Sequence, residues 1–490
     1  MDPRKNDDLK KSAFGGMIWK LSERVCAQLV SLIVSIVLAR ILMPEDYSLV
    51  SIVMIFFAFC NVFISGGLNT ALIQKKNADI LDYSTVLYVT LIIATVLYAV
   101  MFACAPLIAE VYEKEQLVAI IRVMSLTFFI NAFKSVLSAY TSSKLQFKKF
   151  FFSTIIGTVI SAFVGISMAL SGFGAWALVA QEMTNSFIDT VFLFFSTRLK
   201  LVWKCSRERL QSLFGYGWKI FVSSIVSVIY DQLNPLIVGI KFTTADLAYY
   251  SKGNSFPGLI NSTLSDTIAS VLFPVMAKVQ DSKEEILGIT RRYIKVSSYI
   301  LFPVMMGLFA VADSFVLVLL TEKWINAAVY IRIFSLSYMF NLVIVGNLQA
   351  IKAIGRSDIT LFMEIIKKGI YFVIIAVFVF FSDSAEVLAL SSVACTIVAL
   401  IVNTYPNRKL IGYSYRYQFV DILPNLIISV IMGAVVMLVG RLNLSVYLLL
   451  PVQVFTGVIF YIALSFVTKN ENFYYLLNFM IGLLKRDTLC

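Results

Sequence analysis

Apolar runs of about twenty residues follow one another along almost the whole chain, separated only by short polar segments. At 1.5 Å per residue, each run is long enough for a helix to cross a hydrocarbon core roughly 30 Å thick. No water reaches backbone N–H and C=O groups there, so only helices and closed barrels can span. Runs of this length without strict alternation select the helix. They fall near 17–39, 47–66, 83–107, 117–142, 151–171, 176–197, 213–240, 254–277, 292–320, 328–354, 362–381, 386–406, 418–440 and 446–467. The expectation is an all-α integral membrane protein with about fourteen transmembrane helices.

Composition closes the soluble alternative. Hydrophobic residues make up 59% of the 490 and charged residues 14%, against about 45–50% and about 25% in soluble domains. A soluble core of this size could not hide 40 Phe, so the bilayer is part of the solvent. The net charge of +12 lies between the apolar runs and reads as topology and membrane-surface contact. Without a basic, aromatic-interleaved soluble module, no nucleic-acid partner is expected. The chain has no His, which removes His metal ligands, general bases and proton relays. The six Cys are scattered, none in a CxxC, and read as small apolar residues, so no metal or other cofactor is expected. The opening MDPRKNDDLKKSAFGG lacks an apolar h-region, and the first span is expected to direct insertion itself.

With the N-terminus inside, 24 of the 41 Lys and Arg fall on inside-facing segments and 6 outside, with the other eleven, among them Lys20, Arg24, Lys134 and Lys219, within the runs as bounded above. That bias places both termini in the cytoplasm. The expected order is a cytoplasmic N-terminus (1–16), a first lobe of six helices (17–197), a linker (198–212), a second lobe (213–406), two further helices (407–467) and a cytoplasmic tail (468–490). Within the tail, NFYYLLNFMIGLLKR reads as an interfacial amphipathic helix or a short further span.

The first span opens GMIWK and the seventh GYGWK, 199 residues later. Lys20, Arg24, Gln28, Ser31 and Ser35 then share one helix face, as do Lys219, Ser223, Ser227, Asp231 and Asn234. Six intervening spans leave the two copies pointing the same way. Parallel halves of this kind are a transporter architecture with the site at their interface.

Charges inside a bilayer usually face a cavity or a partner. Lys20 and Lys219 sit in the first turn of their spans, where snorkelling to the interface competes with a cavity role. Arg24 lies deeper and points to a cavity, with Glu23 close enough to neutralise it. Lys134 lies deep in the fourth span on a face with Asn131, Ser138 and Thr141, and also reads as cavity-lining. The sixth span carries Glu182, Asn185, Ser186 and Asp189 on one face. Those two carboxylates, with Asp231 and Asp266, are candidates for H⁺ or Na⁺ coupling. For any single one, a helix–helix hydrogen bond is the preferred reading.

The stretches LARILMPEDYSLVSIVMIF…GLNTALIQKKN and YDQLNPLIVGIKFTTADLAYYSKGNSFPGLINSTLSDTIASVLFPVMAKVQ resemble the polysaccharide-transporter branch of the multidrug/oligosaccharidyl-lipid/polysaccharide exporter superfamily, the Wzx-type flippases. The likeness covers most of 12–410. Tyr47 and Ala248 stand at turn positions where that family usually has Gly. The resemblance implies two six-helix lobes around a central cavity. It also implies a bacterial inner-membrane location and a polyprenyl-diphosphate-linked oligosaccharide as substrate, flipped outward for lipopolysaccharide, capsule or exopolysaccharide assembly. A polysaccharide polymerase and assembly proteins would be its partners, alongside membrane lipid. The cleft would present Lys20, Arg24, Lys134 and Lys219 to the diphosphate, and Gln28 and Asn234 to the sugar. A cation or drug exporter of the same superfamily is the first alternative, disfavoured by the basic excess in the early spans. A membrane enzyme of polysaccharide assembly is the second, disfavoured because every loop is short.

Overall fold

The computed structural model describes residues 3–75, 78–199, 202 and 204–478, with side chains for all of these except 3–21, 216, 266–271, 273, 274 and 357. Its first part runs α1 (Pro3–Ile41), α2 (Pro44–Ser65), α3 (Leu68–Gln74), α4 (Ile80–Val111), α5 (Gln116–Met124), α6 (Thr127–Ser143), α7 (Phe147–Leu170), α8 (Ala175–Thr197) and α9 (Arg207–Lys241). It continues with α10 (Thr244–Ala277), α11 (Lys283–Leu319), a 3₁₀ turn at Glu322–Trp324, α12 (Ala327–Met339), α13 (Asn341–Ala353), α14 (Ser357–Phe381), α15 (Ala385–Leu410), α16 (Tyr415–Val439) and α17 (Val446–Val467).

Each of the fourteen predicted runs is helical. Eleven helical segments among the described residues are long and apolar enough to cross a membrane. The other three, α8, α10 and α14, reach the length but carry polar groups in their runs: Glu182 and Asp189, Asn254 and Asn261, and Glu364, Lys367 and Lys368.

Two runs are broken. The fourth divides into α5 and α6, and the tenth into α12 and α13. At the first break the hydroxyls of Ser125 and Thr127 donate to the carbonyls of Ile121 (2.6 Å) and Met124 (2.7 Å). Such local bonds compete with the helical ladder. In each half of the repeat the broken run is the fourth.

Finer contacts repeat as well. Asp46 Oδ2 accepts from the Met43 N–H at the start of α2 (3.0 Å), and Asp246 Oδ2 from the Thr243 N–H at the start of α10 (3.1 Å). Farther along the same helices, Asn61 Oδ1 accepts from Asn131 Nδ2 (3.0 Å) and Asn261 Oδ1 from Asn341 Nδ2 (2.8 Å). Each half thus ties its second span to its broken fourth span through an Asn pair.

The chain forms two compact units, Met1–Ala248 and Tyr249–Cys490. By sequence α9 heads the second lobe, yet it packs on α2 and α3 and falls in the first unit. In that unit α7 lies against both α1 and α8. Ser153, Gly157, Ser161, Gly165 and Ala169 recur every four residues on α7 and all are buried. A stripe of small residues lets neighbouring backbones approach closely, and α8 uses it: a Cβ on Gly165 would sit 2.9 Å from Gln181 Cβ. In the second unit α11 is central, against α12, α13, α16 and α17. Its partner α16 is held by Asp421, which accepts from Arg291 (Nε and Nη2, each 2.8 Å) and from the Tyr413 hydroxyl (2.8 Å).

Some expectations shift. Tyr47 and Ala248 are not in turns: both lie inside regular helix, in α2 and α10, where any L-residue is at ease. Lys367 and Lys368, inside the run at 362–381, belong to α14. The tail is helical over 471–478, and the rest of it lies outside the described residues.

Candidate functional site

In the first unit a polar layer crosses the apolar helices. Lys134 on α6 and Asp189 on α8 form an ion pair of 2.7 Å, the Lys side chain 35% exposed and the Asp 9%. Asp189 Oδ1 is buried with no hydrogen-bond partner among the described residues. Glu182, two turns earlier on α8, lies within electrostatic reach of Lys134. The small face of α7 sets this geometry. A Cβ on Gly157 would meet Asn185 Oδ1 at 3.1 Å and Asp189 Cβ at 3.4 Å, so a glycine here lets α8 bring its polar face inward. On the other side of α7, Thr154 donates to Glu23 Oε1 on α1 (3.0 Å). The Asn61–Asn131 pair adds α2 to the layer.

The arrangement can do one thing that an isolated lysine cannot. Lys134 is held by a carboxylate yet keeps a third of its surface open, so an incoming anion can compete with Asp189 for it. Losing Lys134 would leave a buried, uncompensated Asp189.

A second cluster holds the linker. Asp82, fully buried at the start of α4, pairs with Lys75 (2.7 Å) and Arg209 (3.3 Å), and Arg209 also reaches Asp79 (3.0 Å). The Ser206 N–H donates to Thr85 Oγ1 (3.1 Å) and the Val202 N–H to Ser84 Oγ (3.0 Å). The backbone N–H of Asp82, then the Arg209 guanidinium, hold the exposed Asp79 carboxyl below the ordinary carboxylate range. Just beyond, Gly67 (φ +80°) faces Gly217 of α9, and a Cβ on Gly67 would lie 2.3 Å from the Gly217 carbonyl oxygen.

Residues 37–329 match the family model described as polysaccharide biosynthesis protein. The chain belongs to that family. Among characterised relatives, it is 24% identical over 301 residues to the succinoglycan biosynthesis transport protein ExoT of Rhizobium meliloti, covering 61% of each chain. It is 23% identical over 449 residues to the lipopolysaccharide biosynthesis protein WzxC of Escherichia coli, covering 87% of this chain and 89% of that one. The ExoT match therefore spans about three fifths of that relative. The fold is that of the lipid II flippase MurJ in an inward closed conformation, at a TM-score of 0.74 and 14% identity over 93% of this chain and 98% of that one. An inward-facing MATE multidrug transporter shares it at 0.61 and 15% identity, over 80% and 98%.

For this member of the polysaccharide biosynthesis protein family, the structure joins three sequence candidates in one cluster: Lys134, Asp189 and Glu182. Arg24, on α1, and Lys219 and Asp231, on α9, are exposed; Gln28 is half-buried and Asn234 buried. The side chains of Lys20 and Asp266 lie outside the described residues. By sequence alone Lys134 and Asp189 have different tasks, one with the anion and one with the coupling ion. In the fold they are partners. The buried Lys367, paired with Glu364 on α14, was not singled out by sequence; the i, i+3 spacing was the available signal. The Asn pairs were legible in principle, since Asn61 and Asn261 are 200 residues apart, as are Asp46 and Asp246.

Proposed function

We propose that this chain flips a polyprenyl-diphosphate-linked oligosaccharide from the cytoplasmic to the outer leaflet of a bacterial inner membrane, by alternating access, for lipopolysaccharide, capsule or exopolysaccharide assembly. The observation that carries the reading is the half-open Lys134–Asp189 pair in the polar layer of the first unit. A diphosphate and its sugars cannot cross hydrocarbon unaided, while the polyprenyl tail need not leave it. Lys134 offers the diphosphate a cation already desolvated on one side, where ionic hydrogen bonds are strong. Arg24, Lys20 and Lys219 add positive charge, and Gln28, Asn185 and Asn234 offer hydrogen bonds to sugar hydroxyls. When the diphosphate takes Lys134, Asp189 loses its counter-ion and becomes the group that binds H⁺ or Na⁺. Glu182, Asp231 and Asp266 are further candidates for that ion. An apolar groove of about 420 Å³ along α11, α16 and α17, walled by Gly307, Val436 and Gly457, suits a prenyl chain.

Membership of the family and the transport role in ExoT's name support this reading. The positive-inside bias supports cytoplasmic termini. A polysaccharide polymerase would take the flipped unit as its substrate.

The shared MATE fold favours a cation exporter as the second reading, with Asp189 and Glu182 as cation ligands. The lysine already neutralising Asp189 counts against it.

The test is transport in proteoliposomes. A fluorescent polyprenyl-diphosphate oligosaccharide should change leaflets, measured by its loss of protection from an external glycosidase. Lys134→Ala should abolish the change while the protein still inserts. Transport of a cationic dye with no movement of the glycolipid would favour the exporter.

A further inference from the structure

The second unit carries another groove, separate from the one along α17. It lies between α14 and α15, holds about 520 Å³, and is walled by Phe362, Ile366, Ile401 and Val402. Phe362 and Ile401 are 65% and 52% exposed, so this apolar wall is left uncovered by the rest of its unit. One end of the groove is different. Arg356 and Lys409 line it there, beside Tyr405 and Tyr415.

The chemistry of that end is anionic-lipid chemistry. The two segments that close it carry Arg356, Arg408, Lys409 and Arg416 against a single carboxylate, Asp358. Asp358 takes Nε and Nη2 of Arg356 at 2.9 and 2.7 Å, which leaves the Nη1 edge of the guanidinium for another acceptor. Arg408 and Lys409 are both exposed. Tyr405 is 58% exposed, and the amphipathic ring of a tyrosine belongs at the headgroup level. An apolar trough ending in cations and tyrosines matches an acyl chain that ends in a phosphate.

We infer that this groove is a specific site for an anionic phospholipid, its acyl chain between α14 and α15 and its phosphate on Lys409 and Arg356. The site rests on the membrane-spanning fold and not on the flippase reading, so the two can fail separately.

The experiment uses the full-length, delipidated protein in detergent, titrated with phosphatidylglycerol or phosphatidylcholine and read by native mass spectrometry. The wild type should retain one phosphatidylglycerol in preference to phosphatidylcholine. Each near-surface cation contributes about a fivefold change in lipid affinity, so Lys409→Gln should weaken phosphatidylglycerol by about that factor. The double variant with Arg356→Gln should remove the preference. Ile401→Trp, which fills the groove without touching a charge, should displace both lipids. Both sites are exposed, and an unchanged melting temperature confirms the fold. Equal binding of the two lipids, or a preference that survives the double variant, overturns the proposal. So does stoichiometric displacement of phosphatidylglycerol by a polyprenyl phosphate, which would make the groove part of the substrate path.

Discussion

At the scale of single residues, the central relation is between one lysine and one aspartate. Placing a lysine alone in the fourth span would be expensive, and the chain offsets this with a carboxylate from the sixth. Breaking such a pair from one side is worse than removing both, because the survivor is left charged and buried. Lys134→Ala should therefore cost less than the roughly 3–5 kcal/mol of a fully buried pair, because the lysine is one-third open, seen as a lower melting temperature in detergent. Lys134→Ala with Asp189→Ala should recover much of that stability and none of the transport. If the double variant transports normally, the pair is a structural brace and the anion binds elsewhere. Gly157→Val makes a different point. It changes no charge, yet the added methyls must push on Asn185 and Asp189. The expected result is a folded protein whose glycolipid transport falls with the loss of the ion-pair geometry.

The helices show which features a sequence reveals. Hydrophobicity and length are properties of a run, and all fourteen runs are helical. Pairing across helices is not a property of any run, which is why Lys134 and Asp189 read as separate candidates. The breaks after α5 and α12 also stayed hidden; at the first, Ser125 and Thr127 compete with the ladder through hydroxyls that hydropathy treats as mildly polar. The small-residue stripe of α7 was legible in its four-residue spacing, but only contact with α8 gives it meaning. Two predictions belong here. The Asn61–Asn131 bond should show a coupling of about 0.6 kcal/mol, at most about 1.7, in a double-mutant cycle with Ala; zero coupling would make the repeated Asn pairs incidental. The linker clasp should depend on pH in one direction. The carboxyl of Asp79 is depressed in the folded protein, so its contribution is present above the unfolded value of about 3.9. It is lost as pH falls through the lower folded value. Proteolysis at Lys204 should stay slow at neutral pH and speed up only in strong acid, while Arg209→Ala should make it fast already at neutral pH.

For the whole molecule, the repeat and the family point to the same conclusion. The chain is a multi-pass membrane protein with a MurJ-like fold, and it belongs to a polysaccharide biosynthesis family. Its two halves repeat a broken fourth span and an Asn pair at equivalent places. The sugar was never legible: specificity depends on the shape of a binding surface assembled from several helices, and no single run of sequence carries that shape. The most direct test of the account is to delete the gene in its own host and measure polyprenyl-linked oligosaccharides by leaflet, together with surface polysaccharide. Lipid-linked repeat units should accumulate facing the cytoplasm, surface polymer should fall, and the wild-type gene should restore both while Lys134→Ala does not. Unchanged lipid-linked glycan and unchanged surface polymer, in a host with no second transporter of this family, would contradict the flippase reading.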